Sequence, residues 1–148
     1  AREPDFTIDG DCALALIAAE QPDVVMLTSP NNPTGTALPV EVIRAVAEAA
    51  PGVVVVDEAY AEFRREGTPS VLELLDGLPR LLVPRTMSKS FALQGGRLGA
   101  VASHRATTDS LRTSPAPSHM SAQPRAAPPP DLPPMFYSGG FNPEQSPR

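Results

Sequence analysis

Hydrophobic positions fall in two alternating rhythms along the first two thirds of the chain: short unbroken apolar runs, and longer stretches with apolar residues at helical spacing. Cys12 to Glu20 is rich in Ala and Leu and follows Asp9 and Asp11, both good caps, so a helix ending before Pro22 is expected. Val24 to Thr28 is an apolar run of strand length. Ser29-Pro-Asn-Asn-Pro-Thr-Gly35 consists of turn formers. Pro39 opens a second helix through Ala50, with Val42, Ile43, Val46 and Ala47 on one face, and Pro51-Gly52 stops it. Val53 to Val56 is four valines in succession, the pattern of a strand buried on both faces. After Asp57-Glu58-Ala-Tyr60 come a polar loop, a short helix at Ser70 to Leu75, the run Leu81 to Val83, and Arg85-Thr-Met-Ser-Lys89.

Three apolar runs separated by helical segments predict an α/β fold with a parallel or mostly parallel sheet flanked by helices. Ligands of such sheets lie beyond the carboxyl ends of the strands. The unusual polar residues of this chain fall there: Asn31 and Asn32 after the first run, Asp57 and Tyr60 after the second, Ser88 and Lys89 after the third. Each taken alone reads as a turn residue or a helix cap. Their convergence on one sheet edge is the informative feature.

Composition adds a boundary and a constraint. Of 19 prolines in 148 residues, 9 lie in residues 1 to 102 and 10 in the last 46, so the sequence divides into a globular part at 1–102 and a Pro/Ser/Ala-rich tail at 103–148 that composition leaves unfolded. A net charge of -5 does not suit a general nucleic-acid binder. Apolar runs stay short of the roughly 20 residues of a membrane span, and the N-terminus lacks the pattern of a signal peptide. The one cysteine, Cys12, forms no internal disulfide, fits a reducing, cytoplasmic compartment, and reads as a small core residue in the first helix. His104 and His119 have no acidic or cysteine companions at ligand spacing, so no metal site is expected. Eleven of the 12 basic residues are arginine, in keeping with a GC-rich genome, and Lys89 is the single lysine.

A lone lysine, a carboxylate and an arginine at one sheet edge narrow the chemistry. A lysine amine forms a Schiff base with an aldehyde, as in sugar aldolases and pyridoxal phosphate enzymes. Arg97 sits in Gln94-Gly-Gly-Arg-Leu-Gly99, where small residues let the backbone approach an anion that the guanidinium clamps. An aspartate holds a pyridine nitrogen protonated, which makes the pyridoxal ring an electron sink. Pyridoxal 5'-phosphate gives tasks to Asp57, Lys89 and Arg97 together, whereas an aldolase leaves Asp57 and the Asn loop without one.

SPNNPTG, VVDEAYAEF and RTMSKSFALQGGRLG, in this order and separation, resemble the three cofactor motifs of fold-type I aminotransferases. DEAYAEF and SKSFAL are most similar to histidinol-phosphate aminotransferases, particularly actinobacterial ones. The resemblance runs from about Asp5 to Ala100 and implies the central part of the large, pyridoxal-phosphate-binding domain, in a family of homodimers more than twice this length. It implies that Asn32 and Tyr60 contact the ring hydroxyl oxygen of the cofactor and that Asp57 pairs with the pyridinium nitrogen. Lys89 would hold the cofactor aldehyde and act as the catalytic base. Ser88 and Arg97, with Thr86 a weaker candidate, would bind the phosphate. The implied reaction transfers an amino group between histidinol phosphate and 2-oxoglutarate, giving imidazole acetol phosphate and glutamate. An aromatic aminotransferase, a threonine-phosphate decarboxylase and a catalytically dead, at most regulatory, remnant are the alternatives.

Departures from the family pattern set further expectations. Pro84 removes a backbone donor from the strand leading to Lys89. Ser90 and Gln94 stand where the family has alanine. The absence of an initiator Met at Ala1 points to a fragment, and the sequence beyond about Val101 reads as frame-shifted or degenerate. A polyproline ligand at Pro128 to Pro134 is the poorer reading of the same tail. A sheet cut off mid-fold is expected to leave apolar edges such as Val53 to Val56 partly uncovered and prone to associate.

Overall fold

Asp9 starts the first element by accepting the Cys12 N–H on its Oδ1 at 2.9 Å, the bond a helix N-cap is selected for. In the computed structural model, which describes residues 3–93, 98–112 and 136–137, helix α1 runs Gly10–Glu20 and ends on Gln21 in the left-handed region. Strand β1 (Val24–Thr28), helix α2 (Val40–Ala49) and strand β2 (Val53–Asp57) follow. Two short 3₁₀ segments, Ala61–Phe63 and Val71–Gly77, lead to β3 (Leu81–Thr86), β4 (Gly99–Ser103), α3 (Arg105–Arg112) and the short β5 (Phe136–Tyr137). The second 3₁₀ segment opens on a reciprocal cap between Ser70 and Glu73. β4 and α3 carry regular structure past residue 102.

The strands lie in the order β1-β2-β3-β4-β5, with β1, β2 and β3 mutually parallel and β4 antiparallel to β3. A mostly parallel sheet is thus present, with its crossovers made by α2 and the 3₁₀ segments. Strand parity decides what is buried. Val25, Leu27, Val54, Val56, Leu81 and Val83 share one face, where they pack with Ile17 of α1, Ile43 and Val46 of α2, and Val71 and Leu74. The other face carries Val24, Met26, Val53 and Val55.

Two sequence expectations are corrected by this one-sided cover. Valines 53 to 56 are not buried on both faces: Val54 and Val56 are fully buried, whereas Val53 and Val55 are only half-buried, because the packed helices lie on a single face. Val53 to Val56 are thus partly uncovered, as expected, and the open edge of the sheet itself is β1, where Val24 is 55% and Met26 75% exposed. Cys12 is exposed rather than in the core, because α1 turns Ala13 and Ile17, one turn apart, toward the sheet.

The open strand yields a prediction. Met26→Lys is expected to reduce self-association of the chain, read by light scattering, and to leave the melting temperature within a few degrees. Unchanged scattering would place the sticky surface elsewhere.

Gly52, in the turn between α2 and β2, is fixed by a close approach. A Cβ built there would stand 2.0 Å from the carbonyl oxygen of Asp23, which also accepts the Val53 N–H at 2.8 Å. Gly52→Ala therefore pushes β2 off β1 and is expected to cost about 3 kcal/mol, the upper end for overpacking. Thermal melting would show it as a fall on the order of 10 °C.

Candidate functional site

Parallel strands bring their carboxyl ends to one edge, and the register makes that literal: Thr28 is paired with Asp57, and the Ser29 N–H extends the ladder to the Asp57 carbonyl at 3.0 Å. Beyond this point the loop after β1 folds on itself. The Gly35 N–H reaches the Asn31 carbonyl at 2.8 Å, the Asn31 N–H reaches the Thr36 carbonyl at 2.8 Å, and Gly35 takes φ of 70°. The Ser29 hydroxyl, buried, accepts the Leu38 N–H at 2.9 Å and ties the loop to the start of α2.

The two asparagines are separated by what they bond. Asn31 Nδ2 donates to Thr34 Oγ1 at 2.8 Å and is spent within the loop. Asn32 Nδ2 donates to the hydroxyl of Tyr60 at 3.0 Å, across 28 residues of sequence. Tyr60 precedes the first 3₁₀ segment, and its ring lies 5.3 Å from Lys89 Nζ. One residue from each of three strand ends thus meets around a single phenol. The Lys89 ammonium is otherwise exposed and has no ion pair among the described residues. A cation over an exposed aromatic ring gains only about 0.5–1 kcal/mol, so the amine is lightly held.

Asp57 combines the structural and the chemical reading. Its Oδ1 accepts the Ala59 N–H at 2.9 Å, a turn that aims the carboxylate past the end of β2. Its Oδ2 takes no hydrogen bond among the described residues, which leaves one oxygen for a ligand donor. The Ser88 N–H donates to Thr86 Oγ1 at 3.1 Å, so the Thr86 hydroxyl is engaged in shaping the turn before Lys89. That turn is closed by the Met87 N–H on the Leu98 carbonyl at 3.0 Å and the Leu93 N–H on the Met87 carbonyl at 3.1 Å. Arg97 lies outside the described residues.

One functional-looking group went unread in the sequence. Glu58, next to Asp57, is 1% exposed and bonded to Arg85, Ser70 and Val71. Strand parity held the signal: Glu58 continues the row of Val54 and Val56, and Arg85 the row of Leu81 and Val83. A charge at a position whose row is core needs an opposite charge in the same place on the next strand.

The described residues hold no cluster of metal-ligating side chains, and none of their helices is long and apolar enough to cross a membrane. The donor set is organic in character: an amine, a carboxylate, an amide, a phenol and a hydroxyl around one edge.

Comparison with known proteins gives the same edge a context. Residues 1–128 match the family model for class I and II aminotransferases. The chain is 59% identical over 120 residues to a histidinol-phosphate aminotransferase of Thermobifida fusca, an alignment covering 81% of this chain and 33% of that protein. The fold is similar to the crystal structure of histidinol-phosphate aminotransferase from Sinorhizobium meliloti in complex with pyridoxal-5'-phosphate, with TM-score 0.68 and 31% identity over 77% of this chain and 31% of that one. A decarboxylase from Sulfurospirillum multivorans matches with TM-score 0.63 and 31% identity, over 72% of this chain and 32% of that one. The chain spans about a third of the length of the curated relatives it matches.

Proposed function

The chain belongs to the class I and II aminotransferases, and from that premise we propose that its sheet edge is part of a pyridoxal 5'-phosphate site that transfers an amino group between histidinol phosphate and 2-oxoglutarate. The observation that carries the reading is the meeting of Asn32, Tyr60 and Lys89 at the strand edge that also carries Asp57, one of whose carboxylate oxygens is unbonded among the described residues. These residues fit the cofactor by chemistry. Asn32 and Tyr60 would hold the ring hydroxyl oxygen, Asp57 the pyridine nitrogen, and Ser88 with Arg97 the phosphate. When bound, the cofactor supplies an electron sink that stabilises negative charge developing at the substrate Cα.

The residues of this chain do the remaining work. Asp57 would keep the ring nitrogen protonated through a charge-assisted hydrogen bond worth roughly 1.5–3 kcal/mol net. Asn32 fixes the Tyr60 hydroxyl, and the two together would hold the ring hydroxyl oxygen of the cofactor. Lys89, lightly held and exposed, would hold the cofactor aldehyde and would serve as the general base that takes the proton from the substrate Cα, a role worth roughly 10²–10⁴-fold in rate. The products are imidazole acetol phosphate and glutamate, and the enzyme would work as a homodimer in the cytoplasm.

Identities of 59%, 57% and 54% to three histidinol-phosphate aminotransferases support this substrate. The test is a hybrid in which this chain replaces the matched third of the Thermobifida fusca relative. Amino transfer from histidinol phosphate at a rate within about tenfold of the parent is expected. Transfer only from phenylalanine, or release of carbon dioxide from threonine phosphate, would overturn the substrate.

A further inference from the structure

Glu58 follows Asp57 but faces the other side of the sheet, at the carboxyl end of the core row. Its carboxylate accepts from Arg85 through Nε at 3.0 Å and through Nη2, from the Ser70 hydroxyl at 3.1 Å, and from the Val71 N–H at 2.9 Å. Arg64 Nη1 stands 3.6 Å away as a second cation. Arg85 Nη2 also donates to Ser70 Oγ at 3.0 Å, so the guanidinium is held on two sides. Five residues from β2, β3 and the intervening segments thus meet in one buried network.

The network sits beside a break in the sheet's ladder. Between β1 and β2 the register runs to Thr28 and Asp57, and between β3 and β4 to Thr86 and Gly99. Between β2 and β3 it covers only Val54 with Leu81 and Val55 with Leu82. Pro84 is the cause. Its carbonyl accepts the Glu58 N–H at 3.0 Å, so the side of the residue that lacks an N–H is the side facing β2. The ladder between the strands carrying Asp57 and Lys89 therefore loses one rung, resumes with the Glu58 N–H on the Pro84 carbonyl, and is followed at once by the Glu58 to Arg85 pair.

We infer that Glu58 and Arg85 are positioning residues: their carboxylate–guanidinium pair reinforces the ladder just past the rung lost at Pro84 and sets the carboxyl ends of β2 and β3, and hence Asp57 and the Ser88–Lys89 turn, at a fixed separation. The inference rests on the reading that Asp57 and Lys89 serve one cofactor. Stability alone does not require an ion pair, since apolar side chains of similar volume replace buried pairs without loss. What the guanidinium adds is direction: its Nε and Nη2 converge on the single oxygen Oε2 of Glu58 while Nη2 also holds Ser70 Oγ, an arrangement that resists sliding of one strand along the other. Asp57 and Thr86 are the neighbours of the pair on their strands and point to the opposite face, so a slip there moves the site directly.

The test uses the 148-residue chain with pyridoxal phosphate, trapping by borohydride with mass mapping of Lys89, thermal melting, and amide hydrogen exchange without cofactor. Arg85→Lys and Glu58→Gln are expected to slow trapping by about 10²-fold, the cost of a misplacement near 1 Å. Exchange at the Glu58 and Ser88 amides should rise about tenfold while α2 amides are unchanged, as local opening requires. The double variant Glu58→Met with Arg85→Met should recover the melting temperature but not the trapping rate. Recovery of both, or exchange that rises equally throughout the chain, would overturn positioning. If the double variant does not fold, the locality of exchange in Arg85→Lys decides. Absence of trapping in the unaltered chain would defeat the cofactor reading, and the exchange pattern would still decide the clamp.

Discussion

Lys89→Ala is expected to abolish covalent capture of pyridoxal phosphate and to lower amino transfer in the hybrid enzyme by on the order of 10⁴-fold, the upper end for a positioned base. Lys89→Arg is expected to do the same, although it keeps the charge and most of the length. A guanidinium stays protonated and forms no useful Schiff base with an aldehyde. The fold should be untouched, because Lys89 is exposed, its side chain meets only the Tyr60 ring at 5.3 Å among the described residues, and its backbone bond to the Ala92 N–H survives the substitution. Melting within a degree or two of the parent, together with the loss of capture, separates chemistry from structure. An active Lys89→Arg hybrid would remove the residue from its role.

Asp57→Asn carries the second large effect. The substitution keeps an Oδ1 that accepts the Ala59 N–H, so the turn after β2 survives, and stability should change by no more than about 0.5 kcal/mol. The negative charge is lost, and with it the protonated state of the cofactor ring. Removal of one preorganised electrostatic partner costs about 10²–10³-fold in kcat, and that loss is expected in the hybrid. Asp57→Ala should add a stability cost of about 1 kcal/mol from the orphaned Ala59 N–H. A kcat for Asp57→Asn equal to that of the parent would show that the ring nitrogen is held by something else.

The three strands and both principal helices were legible because each obeys a local rule. Val40–Ala49 shows its apolar face every third or fourth residue, and Val24–Thr28 and Val53–Asp57 are bounded by turn formers. The edge on which Asn32, Asp57, Tyr60 and Lys89 assemble was legible for a topological reason, since parallel strands deliver their following loops to one side. What covers a strand is not local. Four valines in a row look the same whether one face or two are packed, and only the placement of α1, α2 and the 3₁₀ segments shows that Val55 faces the open side. β4, Gly99–Ser103, is made of small residues with no period and is defined by its partner β3. Glu58 carried its signal only in strand parity and went unread: a glutamate after a strand looks solvated until Arg85, 27 residues on, is brought beside it. The effect of Pro84 was legible as a missing donor, but which neighbour loses the bond depends on the side it faces.

The central claim is that this sheet edge holds pyridoxal phosphate through its one lysine. Borohydride reduction of the 148-residue chain with the cofactor, followed by peptide mass mapping, tests it most directly, because Lys89 and the α-amino group are the only primary amines in the sequence. The account predicts one pyridoxyl adduct, on the peptide containing Lys89, whose yield falls in Asp57→Asn and disappears in Lys89→Ala. An adduct confined to the α-amino group, or a Lys89 adduct indifferent to Asp57, would contradict it.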